Sequence, residues 1–377
     1  MGILSVNILT NQKVRQLTPE NFICILDYIS KNILPFINTD NNAGQDLLNL
    51  FFTTFNKYVG KKDKNQAFTP DHIVHFMCRV AKINKNSKVL DPTCGSGAFL
   101  VQAMTQALKN CDNKAEELQV KQNQIFGIEC EEKAFGLSTT NMLIHGDGNS
   151  NIINANCFYK GEWIEDSGIN VILMNPPYNA KPVNISKEIT KNWKKGLKED
   201  PTKGFCFVNY AADKVKHGKL LCLLPLACAI GGKSKEIREQ KQKILENNTL
   251  DAVFTFPPEM FHPGAGANAC CMVFTLGIPH EVSDKDTFFG YFKDDGFIKK
   301  KNLGRVDVKN QWDSIEVEWL DLFNHTKVKA GLSVTKKITA NDEWLAEAYM
   351  QTDYSQLSQN DFQQTVNDYL AFLVKNG

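Results

Sequence analysis

Residues 88–100 read KVLDPTCGSGAFL, an apolar run that passes through a glycine-rich turn into an amphipathic segment. Gly95 and Gly97 allow a tight turn and a close approach of a ligand to the backbone, and a helix that starts there offers unpaired N–H groups. Short apolar runs alternate with helical patterns from this point as far as Leu276. The alternation predicts an α/β fold with a doubly wound, mostly parallel sheet.

The apolar runs and the helical patterns divide the chain into regions. Strands are predicted at residues 88–91, 124–129, 170–174, 219–226, 250–256 and 269–276, with helices at 98–109, 131–145 and 233–246. Helical spacing of apolar residues also predicts helices behind Pro19, over residues 47–58 and behind Pro70. We therefore expect a helical N-terminal region (1–65), a central catalytic domain (66–280) and a C-terminal extension (281–377) that ends in an amphipathic helix.

The composition excludes several classes of protein. Lysine and arginine number 43 against 42 acidic residues in 377, so a polybasic protein is excluded. The longest apolar run, residues 220–230, contains Pro225 and is shorter than the roughly 20 residues of a membrane-spanning helix. The N-terminus has no leader pattern, and the 11 cysteines form no C-x-x-C pair. We expect a cytoplasmic protein with reduced thiols, no membrane segment and no metal site.

The acid beside the glycine turn indicates the kind of ligand. A dinucleotide-binding turn requires Gly or Ala where Leu100 stands. The carboxylate of Asp91 would repel a phosphate but can accept a hydrogen bond from an ammonium group. This combination favours a zwitterionic nucleoside without phosphates, with S-adenosylmethionine as the leading candidate.

Two further carboxylates follow the glycine turn. Glu129 ends a predicted strand, where it can accept hydrogen bonds from both ribose hydroxyls of an adenosine. Asp147, in the loop after the next helix, is a candidate for the adenine amino group, although a Gly-Asp-Gly triplet is also an ordinary turn.

The tetrapeptide Asn175-Pro176-Pro177-Tyr178 directly follows the predicted strand 170–174. Prolines end the pairing of a strand and fix its backbone, so the Asn175 side chain and the Pro176 carbonyl can converge on one spot. Two acceptors beside the aromatic face of Tyr178 suit a planar amino group.

These motifs together resemble the adenine-N6 DNA methyltransferases, specifically the modification subunits of type I and type I-like restriction-modification systems. The resemblance covers residues 66–276. It rests on Gln66-Ala67-Phe68-Thr69-Pro70, residues 91–100, Glu129, the tetrapeptide, residues 224–238, 256–261 and 268–270.

The resemblance implies a seven-stranded sheet of the S-adenosylmethionine-dependent methyltransferase type and a role for each motif. The residues expected at the cofactor are Gln66, Phe68, Thr69, Pro70, Asp91, Gly95, Ser96, Gly97 and Glu129, in addition to Asp147. The residues expected to hold the target adenine and carry catalysis are Asn175, Pro176 and Tyr178, and Phe261 is a candidate for the opposite face of the base.

The resemblance also implies partners. We expect double-stranded DNA as the substrate and a separate DNA-specificity subunit, with or without a restriction subunit. Between Tyr178 and Phe205 the chain carries seven lysines against three acidic residues. Lys194 and Lys195 are therefore candidates for phosphate contacts, the alternative being a solvated loop. Residues 281–377 carry 12 basic and 16 acidic residues, which suits docking on a protein better than on DNA.

Two other functions stay open at this point. The same tetrapeptide serves enzymes that methylate the side-chain amide of glutamine in a protein. A non-catalytic DNA-positioning subunit could also keep the fold without the chemistry.

Overall fold

The computed structural model describes residues 16–32, 69–147, 151–230, 234–262, 266–300, 304–351 and 358–376. Its helices of six or more residues are α1 (Pro19–Asn32), α2 (Asp71–Val80), α3 (Ala98–Leu108), α4 (Lys114–Asn123), α5 (Glu132–Ile144), α6 (Gly161–Asp166), α7 (Phe205–Val215), α8 (Lys235–Asn247), α9 (Trp312–Asn324) and α10 (Gln359–Asn376). Its strands are β1 (Val89–Asp91), β2 (Ile125–Glu129), β3 (Asn151–Asn154), β4 (Val171–Met174), β5 (Gly218–Pro225), β6 (Asn248–Thr255), β7 (Ala269–Leu276), β8 (Thr287–Tyr291), β9 (Ile298–Lys300), β10 (Gly304–Val306) and β11 (Ser333–Lys336).

In the part of the chain that the structure describes, the central sheet has nine strands in the order β11-β8-β6-β7-β5-β4-β1-β2-β3. The pairs β1/β2, β1/β4, β2/β3, β4/β5 and β6/β8 are parallel. β7 is antiparallel to both β5 and β6, and β11 is antiparallel to β8. The strands β1 to β6 and β8 therefore end at one edge, here called the carboxyl edge, where ligands of such sheets bind.

The predicted α/β fold is confirmed, but the expected count of seven strands is wrong. β8 and β11 lie beyond residue 280 and extend the same sheet. β8 is a short buried apolar run. The charged residues on both sides of it in the sequence mask the strand pattern. The sequence does not mark β3 either, because Ile152 is the one fully buried residue of Asn151–Asn154. The domain limits at residues 65 and 280 stay a prediction.

The sheet separates two hydrophobic cores. Side chains of a strand alternate between the two faces, so that Val171 and Leu173 of β4 lie in one core and Ile172 and Met174 lie in the other. Helices α2, α3 and α9 cover the first face, and α7 and α8 cover the second. Helices on both faces leave the carboxyl edge of the sheet as the place where loops can form a site.

Residues beyond 280 are joined to α2 by a buried acid. Glu316 of α9 accepts a hydrogen bond of 2.7 Å from Arg79 and lies 2.8 Å from the ring of His75. Both partners belong to α2, and Glu316 is buried. A buried carboxylate needs such partners, so this contact fixes α9 on α2.

The predicted C-terminal amphipathic helix is present as α10. Its exposed apolar side chains include Phe362, Val366, Tyr369, Leu370 and Leu373. Among the described helices, none is long and apolar enough to cross a bilayer. The helix predicted over residues 47–58, and residues 231–233 of the motif at 224–238, lie outside the described residues.

Candidate active site

The turn after β1 is shaped by two glycines and a buried acid. The Thr93 amide donates to Oδ1 of Asp91 over 2.9 Å. Gly97, the N-cap of α3, has φ +85°, and a Cβ there would lie 3.3 Å from Cβ of Ser138. A Cβ on Gly95 would meet no atom within 4 Å. The turn therefore packs closely on the protein at Gly97 and faces open space at Gly95.

Glu129 ends β2 and holds the glycine turn. Its Oε2 accepts from the Gly95 amide over 2.9 Å, and its Oε1 accepts from the Glu131 amide over 2.8 Å. Each carboxylate oxygen has a second lone pair. Glu129 can therefore fix the turn and still accept hydrogen bonds from a ligand.

Two buried carboxyl groups face the same turn. Asp91 is 1% exposed and Glu129 is 8% exposed. Burial raises the pKa of Asp91 to about 8, although the Thr93 amide opposes the rise, and the charge of Glu129 adds to it. A ligand that brings positive charge would stabilise the Asp91 carboxylate. The pair thus suits a cationic ligand that also carries hydroxyl groups.

Asp147 lies elsewhere, which corrects the sequence analysis. Its amide bonds to the carbonyl of Met142 over 2.9 Å, just beyond α5. A Cβ on the adjacent Gly146 would lie 3.3 Å from Nζ of Lys121, in the last turn of α4 and close to where β2 begins. Helix α5 returns the chain from the carboxyl edge of the sheet to the opposite edge, where β2 begins. The structure therefore does not bring Asp147 to Asp91 and Glu129.

Two asparagines lie at the carboxyl end of β3, next to Glu129: Asn154 ends the strand and Asn156 follows it. Asn154 Nδ2 and the Ala155 amide both donate to the Glu129 carbonyl over 2.9 Å. The Asn156 side chain donates to the carbonyl of Asn184 over 2.7 Å. Neither asparagine was singled out from the sequence; the signal that could have found them is the Asn-Ile-Ile-Asn run of residues 151–154, whose two isoleucines are β-branched and which ends at Asn154.

The tetrapeptide follows β4 at the carboxyl edge, where Asn175 is held from both ends of its amide. Asn175 Nδ2 donates to Oγ1 of Thr69 over 3.1 Å. Asn175 Oδ1 accepts from the Tyr178 hydroxyl over 2.9 Å. Burial raises the pKa of Tyr178 well above its ordinary value, so this hydroxyl keeps its proton. Thr69, Asn175 and Tyr178 thus form a continuous hydrogen-bonded chain.

Pro176 is buried against the end of the lysine-rich segment. A Cβ on Gly204 would lie 3.1 Å from Cγ of Pro176, and Gly204 has φ +92°. Asp200, itself buried, accepts from the amides of Thr202 and Gly204 over 2.7 and 2.8 Å. The exit of the segment is therefore a fixed support for the tetrapeptide.

The lysine-rich segment has regular structure in its first half. It contains short helical turns at Pro182–Asn184 and Lys187–Thr190, with Ile185 buried between them. Lys194 and Lys195 are exposed, and Lys203 bonds to Asn179 over 3.0 Å. The segment presents its charge beside the tetrapeptide on an anchored backbone.

The remaining predicted site residues lie in different surroundings. Pro70 is the N-cap of α2, and the Ser96 carbonyl accepts from Asn141 Nδ2 over 3.1 Å within the glycine turn. Phe261 is 3% exposed and belongs to the hydrophobic core. As placed, it cannot stack on a base, which corrects the sequence analysis. Gln66 and Phe68 lie outside the described residues.

The sequence profile of the N-6 DNA methylase family matches residues 45–372. This range includes the glycine turn, Glu129 and the tetrapeptide. The chain belongs to the N-6 DNA methylase family. The resemblance drawn from the motifs is thereby confirmed.

Two relatives illustrate the range of the family. The type II restriction enzyme and methyltransferase RM.BcgI of Heyndrickxia coagulans is 34% identical over 336 residues, 88% of this chain and 50% of the relative. The methylase subunit of the type I restriction enzyme EcoEI of Escherichia coli is 27% identical over 56% of this chain and 42% of the relative. The chain thus spans about half the length of the curated relatives it matches.

Two solved structures share the fold of this chain. A type I restriction-modification methyltransferase subunit from Streptococcus thermophilus superposes with a TM-score of 0.60 at 20% identity, over 89% of this chain and 69% of that structure. A structure from a study of complex assembly in the type I system gives a TM-score of 0.66 at 17% identity, over 94% and 73% of the two chains. Both support the same α/β architecture.

Proposed function

We propose that this N-6 DNA methylase transfers a methyl group from S-adenosylmethionine to the exocyclic N6 of an adenine that has left the DNA duplex. One observation carries the proposal. The hydrogen-bonded Asn175 and Tyr178 follow β4 at the same edge of the sheet as the buried carboxyls of Asp91 and Glu129. A site for an amino group therefore adjoins a site for a cationic adenosine.

The residues of the glycine turn fit the proposed cofactor. Open space in front of Gly95 leaves room for a ligand at the backbone. Asp91 would accept a hydrogen bond from the cofactor's ammonium group, and the free lone pairs of Glu129 would accept from ribose hydroxyls. When bound, S-adenosylmethionine supplies a methyl group that its sulfonium makes electrophilic.

Asn175 and Pro176 would raise the reactivity of the adenine amine. The lone pair of that nitrogen is delocalised into the ring, which makes it a poor nucleophile. Hydrogen bonds from its two protons to Asn175 Oδ1 and the Pro176 carbonyl favour a pyramidal nitrogen with a localised lone pair. Asn175 is neutral, so it orients and polarises the amine and leaves the proton to water after the transfer.

Tyr178 has two roles in this proposal. Its hydroxyl already donates to Oδ1 of Asn175, so the amine must share or displace that bond on entry. Its ring can stack on the base, which is worth roughly 1–3 kcal/mol. Stacking on this scale offsets much of the few kcal/mol that extrusion of a base costs.

The partners follow from charge and exposure. Lys194 and Lys195 would contact the phosphates of double-stranded DNA next to the extruded base. A separate DNA-specificity subunit, with or without a restriction subunit, would dock on the protein. The exposed apolar side chains of α10 and the acidic balance of residues 281–377 favour a protein partner for the C-terminal end.

A methyl-transfer assay tests the proposal. The chain, purified after co-expression with its neighbouring genes, is given tritiated S-adenosylmethionine and DNA from a host without DNA methylation. We expect label in N6-methyladenine, and we expect Asn175→Ala to lower the rate by about a hundredfold or more with cofactor affinity retained. Asn123→Ala, an exposed asparagine at the end of α4, is the matched control. Label in protein glutamine, or none, would favour the alternatives.

A further inference from the structure

We propose that Thr69 is a positioning residue that fixes the orientation of the Asn175 amide. The proposal rests on the proposed function, because it concerns the step that Asn175 carries out. The resemblance alone assigns Thr69 to the cofactor pocket. Its contact with Asn175 Nδ2 over 3.1 Å gives it a second partner, in the catalytic tetrapeptide.

The orientation of the amide matters because its two ends differ in chemistry. The oxygen of an asparagine accepts hydrogen bonds, whereas its nitrogen can only donate them. An adenine amine also donates, so an Asn175 turned by 180° would present N–H groups to N–H groups. In the observed arrangement Thr69 Oγ1 accepts from Nδ2, which directs the nitrogen to Thr69 and leaves Oδ1 to Tyr178 and, in this proposal, to the amine.

Thr69 is a rigid reference for this contact. It is 7% exposed and precedes α2, whose first turn is closed by bonds from the amides of Ile73 and Val74 to the Pro70 carbonyl over 3.0 Å. The backbone of Thr69 is therefore anchored to the start of a helix.

The first turn of α2 is held in place by residues from the C-terminal part of the chain. His72 lies 3.0 Å from Asp295, which also accepts two hydrogen bonds from Arg305 over 2.8 and 2.6 Å. The ring of Phe297 stacks on His72 with a centroid distance of 3.9 Å. Asn175 is thus bonded to a residue that directly precedes α2, and contacts with later parts of the chain fix the first turn of that helix.

Two substitutions separate the hydroxyl from the packing of Thr69. Thr69→Val keeps the shape and removes the acceptor, whereas Thr69→Ser keeps the acceptor and removes a methyl group. We expect Thr69→Val to lower the single-turnover rate of methyl transfer about fivefold to tenfold, the range for one lost hydrogen bond. We expect Thr69→Ser to restore most of that rate.

The measurement is the single-turnover rate at saturating S-adenosylmethionine, with cofactor affinity measured by calorimetry on the same samples. A rate that stays low at saturation in Thr69→Val and recovers in Thr69→Ser supports the proposal. A normal rate in Thr69→Val, or one that saturating cofactor restores, overturns it, because Thr69 would then act on the cofactor alone. Failure of Thr69→Ser to recover would assign the effect to packing and also overturn it.

The proposed function can fail separately from this inference. If the unmodified chain transfers no methyl group to DNA, or if Asn175→Ala is as active as the unmodified chain, the proposed function fails and Thr69 loses its role with it. If Asn175→Ala is inactive and Thr69→Val is normal, the positioning role alone is wrong. Cofactor titration reports on folding in each variant.

Discussion

The Gly95 amide donates a hydrogen bond of 2.9 Å to Oε2 of Glu129, so the glycine turn after β1 and the acid that ends β2 are one structural unit. The carboxylate shapes the turn, and under the proposed function its remaining lone pairs would also accept from the ribose. Loss of Glu129 should therefore affect the cofactor both directly and through the turn.

Glu129→Gln is the first prediction, and it should be as harmful as Glu129→Ala. The two oxygens of Glu129 accept from the amides of Gly95 and Glu131, so the –NH₂ of glutamine would face an N–H group in either orientation. We expect S-adenosylmethionine affinity to fall about tenfold or more by calorimetry. Glu132→Gln, an exposed glutamate in α5, is the control. Unchanged affinity in Glu129→Gln would place the ribose elsewhere.

The second prediction concerns pH and Asp91. Burial first, and the charge of Glu129 in addition, raise the pKa of Asp91 to about 8, so the free protein carries a proton there at neutral pH. Binding of a cationic ligand favours the carboxylate and must release that proton. Cofactor affinity should therefore weaken as pH falls below about 8, by at most tenfold per pH unit. Calorimetry in buffers of different ionisation enthalpy counts the released proton.

The raised pKa of Asp91 also leads to a separate prediction about the stability of the fold. An acid whose folded pKa lies above its unfolded value of 3.8 destabilises the folded state increasingly as pH rises from about 4 to about 8. Asp91→Asn should remove this contribution and the proton release together. A variant that still releases a proton on cofactor binding would show that another group is responsible.

The sequence predicts the part of the site whose residues lie at the ends of strands. Asp91, Glu129 and Asn175 each end or follow a strand whose apolar pattern is plain, and parallel strands bring their ends together. Asp147 shows the limit of this reasoning. It follows a helix rather than a strand, and a crossover helix returns the chain to the opposite edge of the sheet.

Contacts between distant segments could not be predicted. Thr69 and Asn175 are 106 residues apart, and no local pattern links a threonine before a helix to an asparagine after a strand. Phe261 is a candidate for the base through the resemblance, and no local pattern in the sequence shows which way its ring turns. The structure places it in the core. An aromatic ring in the loop after β6 can turn either inward or outward, and only the packing of the fold decides between the two.

The third prediction tests the lysine-rich segment. Lys194→Ala combined with Lys195→Ala should weaken DNA binding about equally for all sequences and lower the slope of log affinity against log salt by about two, because each phosphate contact contributes about 0.9. Lys337→Ala is the control, because Lys337 is an exposed lysine far from the tetrapeptide. It directly follows β11, whose last residue pairs with the first residue of β8 at the edge of the sheet opposite the carboxyl edge. An unchanged salt slope in the double variant would mean that the segment does not contact phosphates.

The fourth prediction concerns the contact between Gly204 and Pro176. Gly204 has φ +92°, and an added Cβ would lie 3.1 Å from Cγ of Pro176. Gly204→Ala should therefore destabilise the fold by about 1–2 kcal/mol through its backbone and also displace the tetrapeptide. Gly196→Ala is the matched control, because Gly196 has φ +83° in the same segment but no atom within 4 Å of an added Cβ. Thermal unfolding should shift similarly in both variants, whereas the rate of methyl transfer at saturating cofactor should fall about tenfold or more in Gly204→Ala alone. Equal rates in the two variants would show that the tetrapeptide does not depend on this support.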